Sequence, residues 1–164
     1  EKEILDIFKK IIKLGHIIGL HFDPNLYEIK HEKDFFYSLN LEKIMLENIL
    51  NYEIKSYTLH NPSAIDFSPE FRSEFTTLKN VSSKEFLDKF KYCSDSNGIW
   101  RHENLFELAV NKNIKRLYAL THPVWWVPSP LPPRERIKRA INGRSQKNIR
   151  NYDKDLKIFK RPNI

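Results

Sequence analysis

Four times along this chain, a run of apolar residues at helical spacing gives way to a short run of β-branched and aromatic residues. That alternation narrows the possible folds more than any other feature. In the first round, residues 3–15 (EILDIFKKIIKLG) put Ile4, Leu5, Phe8, Ile11 and Ile12 on one side of an α-helix, and Gly15 suits the left-handed residue that ends it. IIGLHF then reads as a buried strand. In the second round, Asn40-Leu41-Glu42-Lys43 opens a helix carrying Leu41, Ile44, Met45, Asn48 and Ile49, and residues 52–60 (YEIKSYTLH) form the next strand. In the third, Ser82 or Ser83 caps SSKEFLDKF, which leads into the brief strand KYCSD; the fourth pairs HENLFELAVNKN with IKRLYALTH. Strands joined through helices run parallel. The expected class is therefore α/β with a mostly parallel sheet, open or closed into a barrel.

At 164 residues the chain holds one domain with a real core, and it has no run of about 18 apolar residues that would span a bilayer. The first residues are charged and helical in pattern, unlike a signal peptide, so a cytoplasmic location is the expectation. A start at Glu1 instead of Met predicts a shortened or processed N-terminus. The single Cys93 excludes an internal disulfide and, in a strand-like apolar setting, reads as a packed small hydrophobe.

The net charge of +7 is concentrated at one end. From Pro128 onward lie 11 of the 28 basic residues and 3 of the 21 acidic ones, a balance of +8, which leaves the rest of the chain at −1. A domain that reads nucleic acid spreads positive charge over a folded face, so no specific nucleic-acid partner is expected. The tail is open to contact with an anionic surface. The proline-rich PVWWVPSPLPP ends the body, which divides the chain into a β/α domain at residues 1–127 and a Pro-rich, basic extension at residues 128–164. A basic helix is expected from Arg134 to Arg150, weakened by Gly143. Between the second strand and the third helix, HNPSAIDFSPEFRSEFTTLKN has two prolines and no sustained period, as functional loops often do.

The titratable residues fall in register with the strands. The first strand ends in His21, the second in His60, the third in Asp95 and the fourth in His122. In parallel β/α folds the carboxyl ends of the strands converge on one face, where active sites are built. Histidine with carboxylate is the usual ligand set for zinc or another divalent transition metal. His16, at a helix-to-strand turn, and His31 and His102, on loop or helix-start positions, lack this placement. Asp95 also reads as a turn former, since it opens Asp-Ser-Asn-Gly.

Several of these segments resemble motifs of the polysaccharide deacetylase superfamily. LGHIIGLHFD is similar to the strand that delivers a metal-binding histidine there, matched by His21. LTHP, with Leu120 and His122, resembles the final motif, whose histidine is the general acid. SDSNGIW, with Asp95 and Trp100, lies where the family has an Asp and a Trp that support that acid and shape the pocket. HNPS, with His60 and Pro62, lies where an Arg-X-Pro segment lines the groove. The resemblance spans residues 5 to 127 and implies an incomplete or distorted (β/α) barrel. It further implies a divalent metal, zinc first, held by His21 and His60, with His122 and Asp95 catalytic. Asp23, Asn61, Trp100, Trp125 and Trp126 would bind substrate, the Trp pair either stacking on a sugar or covering the barrel edge.

The implied activity is N-deacetylation of an N-acetylated carbohydrate in surface-polysaccharide metabolism. The alternative is a non-catalytic relative that binds a glycan or a protein. Two departures bear on that choice: Asn25 stands where the family has its second metal histidine, and no strand with an Asp pair precedes the first helix, where Asp6 sits within an amphipathic pattern.

Overall fold

The computed structural model describes residues 2–60, 75–100 and 103–161. The chain divides into two compact units, Glu1–Lys89 and Phe90–Ile164. The first holds α1 (Lys2–Lys13), β1 (Leu20–Phe22), α2 (Glu32–Leu50), β2 (Ser56–Leu59), β3 (Lys79–Asn80) and α3 (Lys84–Leu87). Its sheet has the order β1-β2-β3, all parallel, with Leu20 opposite Tyr57 and His21 opposite Thr58. The second unit holds β4 (Lys91–Ser94), α4 (Leu105–Val110), β5 (Leu117–Leu120) and α5 (Pro133–Ile158). There β4 and β5 pair in parallel, Cys93 opposite Ala119.

The fold is thus α/β with parallel pairing, as the alternation of elements requires. Among the described residues the strands form two separate sheets of three and two strands, and these close no barrel. Most of the long segment after His60, including Asn61 and Pro62, lies outside the described residues, as does His102. Among the described residues no helix is long and apolar enough to cross a membrane.

Local chemistry sets several boundaries where the sequence places them. Gly15 ends α1 at φ +85, a backbone conformation that costs a side-chain-bearing residue about 1–2 kcal/mol, and its N–H and that of His16 return to the carbonyls of Ile12 and Ile11. Ser83 caps α3, its hydroxyl accepting from the Phe86 N–H at 3.3 Å. Gly19 lets β1 approach β2, since a Cβ there would lie 2.9 Å from Ser56 Oγ and 3.2 Å from the Ser56 carbonyl oxygen.

The second helix differs from expectation in both start and face. It begins at Glu32, eight residues before Asn40, because Asp34 accepts the N–H groups of His31 (2.8 Å) and Lys30 (3.1 Å) and so closes the first turn. Those same two bonds, ahead of the opposing effect of burial, hold the Asp34 carboxyl below its ordinary value. Two apolar stripes then compete along the longer helix. Phe35, Phe36, Leu39 and Leu50 are buried, with Leu46 packed beside them, whereas Leu41, Ile44, Met45 and Ile49, the stripe expected to matter, are exposed. The aromatic stripe wins because two Phe side chains remove more apolar area from water than the aliphatic alternative.

The core of the first unit lies between the sheet and these helices. Phe22, Phe35, Leu39 and Leu78 are fully enclosed, and Leu5, Phe8, Ile11 and Ile12 of α1 pack against them. Ile4, counted on the same side of α1, stays about half exposed. Phe35 stands edge-on to Phe22 at 5.3 Å and to Phe36 at 5.2 Å, contacts that add to the burial of each ring.

Two tyrosines in this unit hold their protons unusually well. Burial pushes the Tyr57 phenol up to about 12, and among the described residues its hydroxyl has no hydrogen-bond partner. Tyr27 also rises to about 12, first through the hydrogen bond it donates to Glu42 Oε1 at 2.6 Å, then through burial and the Glu42 charge. Unfolded tyrosines lose their protons near pH 10 and these keep them until about 12. Between those values the unfolded chain binds fewer protons, so stability falls as pH rises through that window. Urea midpoints measured across it should decline. Tyr57→Phe, which removes a desolvated hydroxyl, should raise stability at neutral pH by about 1 kcal/mol and soften the alkaline decline. A destabilised Tyr57→Phe would reveal a partner for that hydroxyl.

Candidate functional site

Period-two alternation builds the first polar cluster. In Leu20-His21-Phe22 and Tyr57-Thr58-Leu59 the apolar residues turn to the core, which sends His21 and Thr58, partners in register, to the opposite face. Two residues further along each chain, Asp23 and His60 follow on that side. The ladder continues there, with the His60 N–H donating to the Phe22 carbonyl at 2.8 Å. His21 is therefore the middle residue of its strand instead of the last, and His60 directly follows β2.

The side chains form a chain of contacts. His21 Nδ1 lies 2.7 Å from Thr58 Oγ1, and His21 Nε2 lies 3.2 Å from His60 Nδ1. The two rings meet nearly at right angles, 5.2 Å between centroids. On the far side of His60, Nε2 is 4.0 Å from Asp23 Oδ2. Burial alone would raise the Asp23 carboxyl. Hydrogen bonds from the Asn25 N–H and side-chain amide, with the charges of His60 and His21, outweigh it and bring the group below its ordinary value. Asn25, at the place where a metal histidine would be expected, thus donates twice to Asp23, whose carboxylate caps the short turn that follows.

The pair passes part of a test for metal binding. With His21 Nδ1–H donating to Thr58, Nε2 keeps its lone pair, the arrangement in which a histidine binds a metal while its other nitrogen is held by a hydrogen bond. Metal–nitrogen bonds of about 2.0–2.1 Å at a tetrahedral angle separate two ligand atoms by about 3.3 Å, and the two imidazole nitrogens stand 3.2 Å apart. That spacing fits two ligands of one ion and also fits a direct hydrogen bond between the rings. Asp23 faces the other nitrogen of His60. Among the described residues no group of three or more His, Cys, Asp or Glu comes together to hold a metal.

The second cluster sits at the carboxyl ends of β4 and β5. The Asp95 N–H extends the ladder to the Leu120 carbonyl at 3.1 Å, and the chain then turns through Asn97 and Gly98, both at positive φ, with Gly98 N–H returning to the Asp95 carbonyl at 2.9 Å. Asp95 therefore is a turn residue, as its neighbours suggest, and more. Its carboxylate accepts twice from His122, from the ring at Nδ1 (2.7 Å, to Oδ1) and from the backbone N–H (3.1 Å, to Oδ2). The Asp95 side chain is 6% exposed and that of His122 39%, so the carboxylate is enclosed and the ring reaches solvent. Nδ1–H held in this way leaves Nε2 as the working atom of His122, a general acid or base with a fixed tautomer.

Around this dyad, Trp125 is half-buried, packed so closely over Gly98 that a Cβ there would meet its ring at 3.2 Å, and its indole N–H is buried without a partner among the described residues. Trp126 is 63% exposed and Trp100 half-buried. The exposed Trp126 offers the freer ring face for a ligand. Cys93 is buried, and burial first, then the charges of Glu103 and Asp95, push its thiol up, which fits a packing residue. His31 stands at the N-terminal cap of α2 and His16 is exposed beyond α1.

One participant escaped the sequence reading. Thr58, which fixes His21, was legible in principle, because in Tyr-Thr-Leu-His it shares a face with His60. No family model, curated protein or solved structure matches the chain.

Proposed function

We propose that this chain is the working part of a metal-dependent hydrolase that removes an acyl group from the nitrogen of an N-acetylated carbohydrate. The incomplete or distorted (β/α) barrel of the polysaccharide deacetylase superfamily is the architecture that accompanies this reading. The observation that carries it is the pairing of His122 with a nearly enclosed Asp95, through both the ring and the backbone N–H. Amide hydrolysis requires such a group: water adds to the carbonyl carbon, the C–N bond breaks, and the departing amine must take up a proton. His122 Nε2 takes up the proton that the attacking water releases and delivers it to the amine, while Asp95 orients the ring and balances its positive charge. His21 Nε2 and His60 Nδ1 would hold a divalent ion, zinc first, with Thr58 keeping His21 in the binding tautomer. The chemistry such an ion would supply is polarisation of a carbonyl. Trp126, and Trp100 to a lesser degree, present flat apolar faces to a sugar ring.

The test combines metal content with product release. The purified chain is expected to bind zinc, cobalt or nickel stoichiometrically, to lose it in His21→Ala and in His60→Ala, and to release acetate from N-acetylglucosamine oligomers. Metal that persists in both variants would remove the histidine pair from the proposal. A chain that binds these oligomers without metal and without acetate release would belong instead to the non-catalytic, glycan-binding alternative.

A further inference from the structure

The helix α5 carries features that the hydrolase reading does not use. It runs 26 residues, about 39 Å, and none of its residues is buried. Its first turn is tied down within its unit: Arg136 donates to the carbonyls of Leu131 (2.6 Å) and Trp125 (3.3 Å). Beyond that the helix has two opposed faces. Ile137, Ile141, Ile149, Tyr152 and Leu156 fall within an arc of about 120° when residues advance 100° each, and Ile141, Ile149 and Tyr152 are 62%, 58% and 56% exposed. Arg139, Lys147, Arg150, Lys154 and Lys157 occupy the other side, where no acidic residue of the helix falls. None of these five forms an ion pair among the described residues.

We infer that α5 lies on an anionic lipid surface, with its apolar arc in the headgroup boundary and its arginines and lysines in contact with negative headgroups. A helix of low mean hydropathy, basic on one face and bearing isoleucines and a tyrosine on the other, suits the plane of a bilayer interface. Charge complementarity alone would also suit a soluble polyanion, but that partner would occupy the basic face and leave a row of large apolar side chains in water. Arg134, Lys138 and Arg144 fall inside or at the border of the apolar arc, where long stems let their charged ends reach the headgroups, and Asp155 falls at its edge. Beyond its first turn the helix has no buried residue and carries Gly143, so a surface that covers its apolar arc would add to its stability.

The test uses the whole chain and vesicles of phosphatidylcholine with or without phosphatidylglycerol. Co-sedimentation is expected only with phosphatidylglycerol present, falling as salt rises, with a gain of helical circular dichroism on binding. Each basic side chain near such a surface strengthens binding about fivefold, so combining Lys147→Gln, Arg150→Gln and Lys154→Gln should weaken it about a hundredfold. Ile141→Ser, Ile149→Ser and Tyr152→Ser together should abolish it, and all three positions are exposed, so the cores stay intact. Failure to bind phosphatidylglycerol vesicles would overturn the inference. So would binding that survives the three apolar substitutions, or heparin retention without vesicle binding, which would identify a soluble polyanion as the partner.

Discussion

Asp95→Asn should lower the proposed deacetylation about a hundredfold to ten-thousandfold while leaving the chain folded, the range over which a positioned acid–base group acts. Asp95 receives two hydrogen bonds from one residue, His122. Asparagine can still accept the backbone N–H through its single oxygen, but its NH2 then faces Nδ1, where two donors oppose each other unless the imidazole changes tautomer. The substitution also removes the negative charge that accompanies the protonated ring. Asp95 is thus a positioning residue that acts through His122, and its loss should appear in kcat more than in KM. Its signature beyond activity is the His122 ring proton on Nδ1, visible by NMR in the parent chain and displaced or lost in Asp95→Asn. Asp95→Ala should additionally cost about 1–3 kcal/mol of stability, because the His122 N–H loses its acceptor. Equal kcat in parent and Asp95→Asn chains, with only a lowered Tm, would make the pair a structural clasp and remove the main support for the enzyme reading.

Phe35→Ala should destabilise the first unit by about 3–5 kcal/mol, a large share of the roughly 5–15 kcal/mol that holds a domain of ordinary stability together. Phe35 is fully enclosed and touches Phe22, Phe36 and Tyr57, so its removal empties the point where α2 meets the sheet. His21 and Thr58 stand on the reverse of the strands that this ring supports, and the His21–Thr58 contact should loosen with it. Denaturation followed by circular dichroism measures the loss. Phe35→Leu, which keeps much of the volume, should cost less than half as much. A deficit below about 1 kcal/mol in Phe35→Ala would mean that the core closes without this residue.

What the amino-acid order determines here is local. Gly15 ends α1, Ser83 caps α3, and KYCSD and IKRLYALTH contain β4 and β5, because left-handed backbone, capping hydroxyls and β-branched runs act within a few residues of themselves. The Asp95 and His122 positions were legible for a related reason. Both follow strands joined through a helix, so parallel pairing brings their carboxyl ends side by side.

Tertiary structure decided what depends on competition between distant groups. Which stripe of α2 is buried could not be read from its spacing, since Leu41, Ile44, Met45 and Ile49 repeat as regularly as Phe35, Leu39, Leu46 and Leu50. The rings of Phe22 and Tyr57, brought by other segments, settle the matter in favour of Phe35. The two-residue β3 carries too little pattern to announce itself and exists because the Lys79 N–H meets the Lys55 carbonyl and the Val81 N–H meets that of Tyr57. The grouping of strands into sheets of three and two follows the same rule. Periodicity specifies which side of a strand or helix is apolar, but burial energy is collected only when a particular partner arrives to cover it.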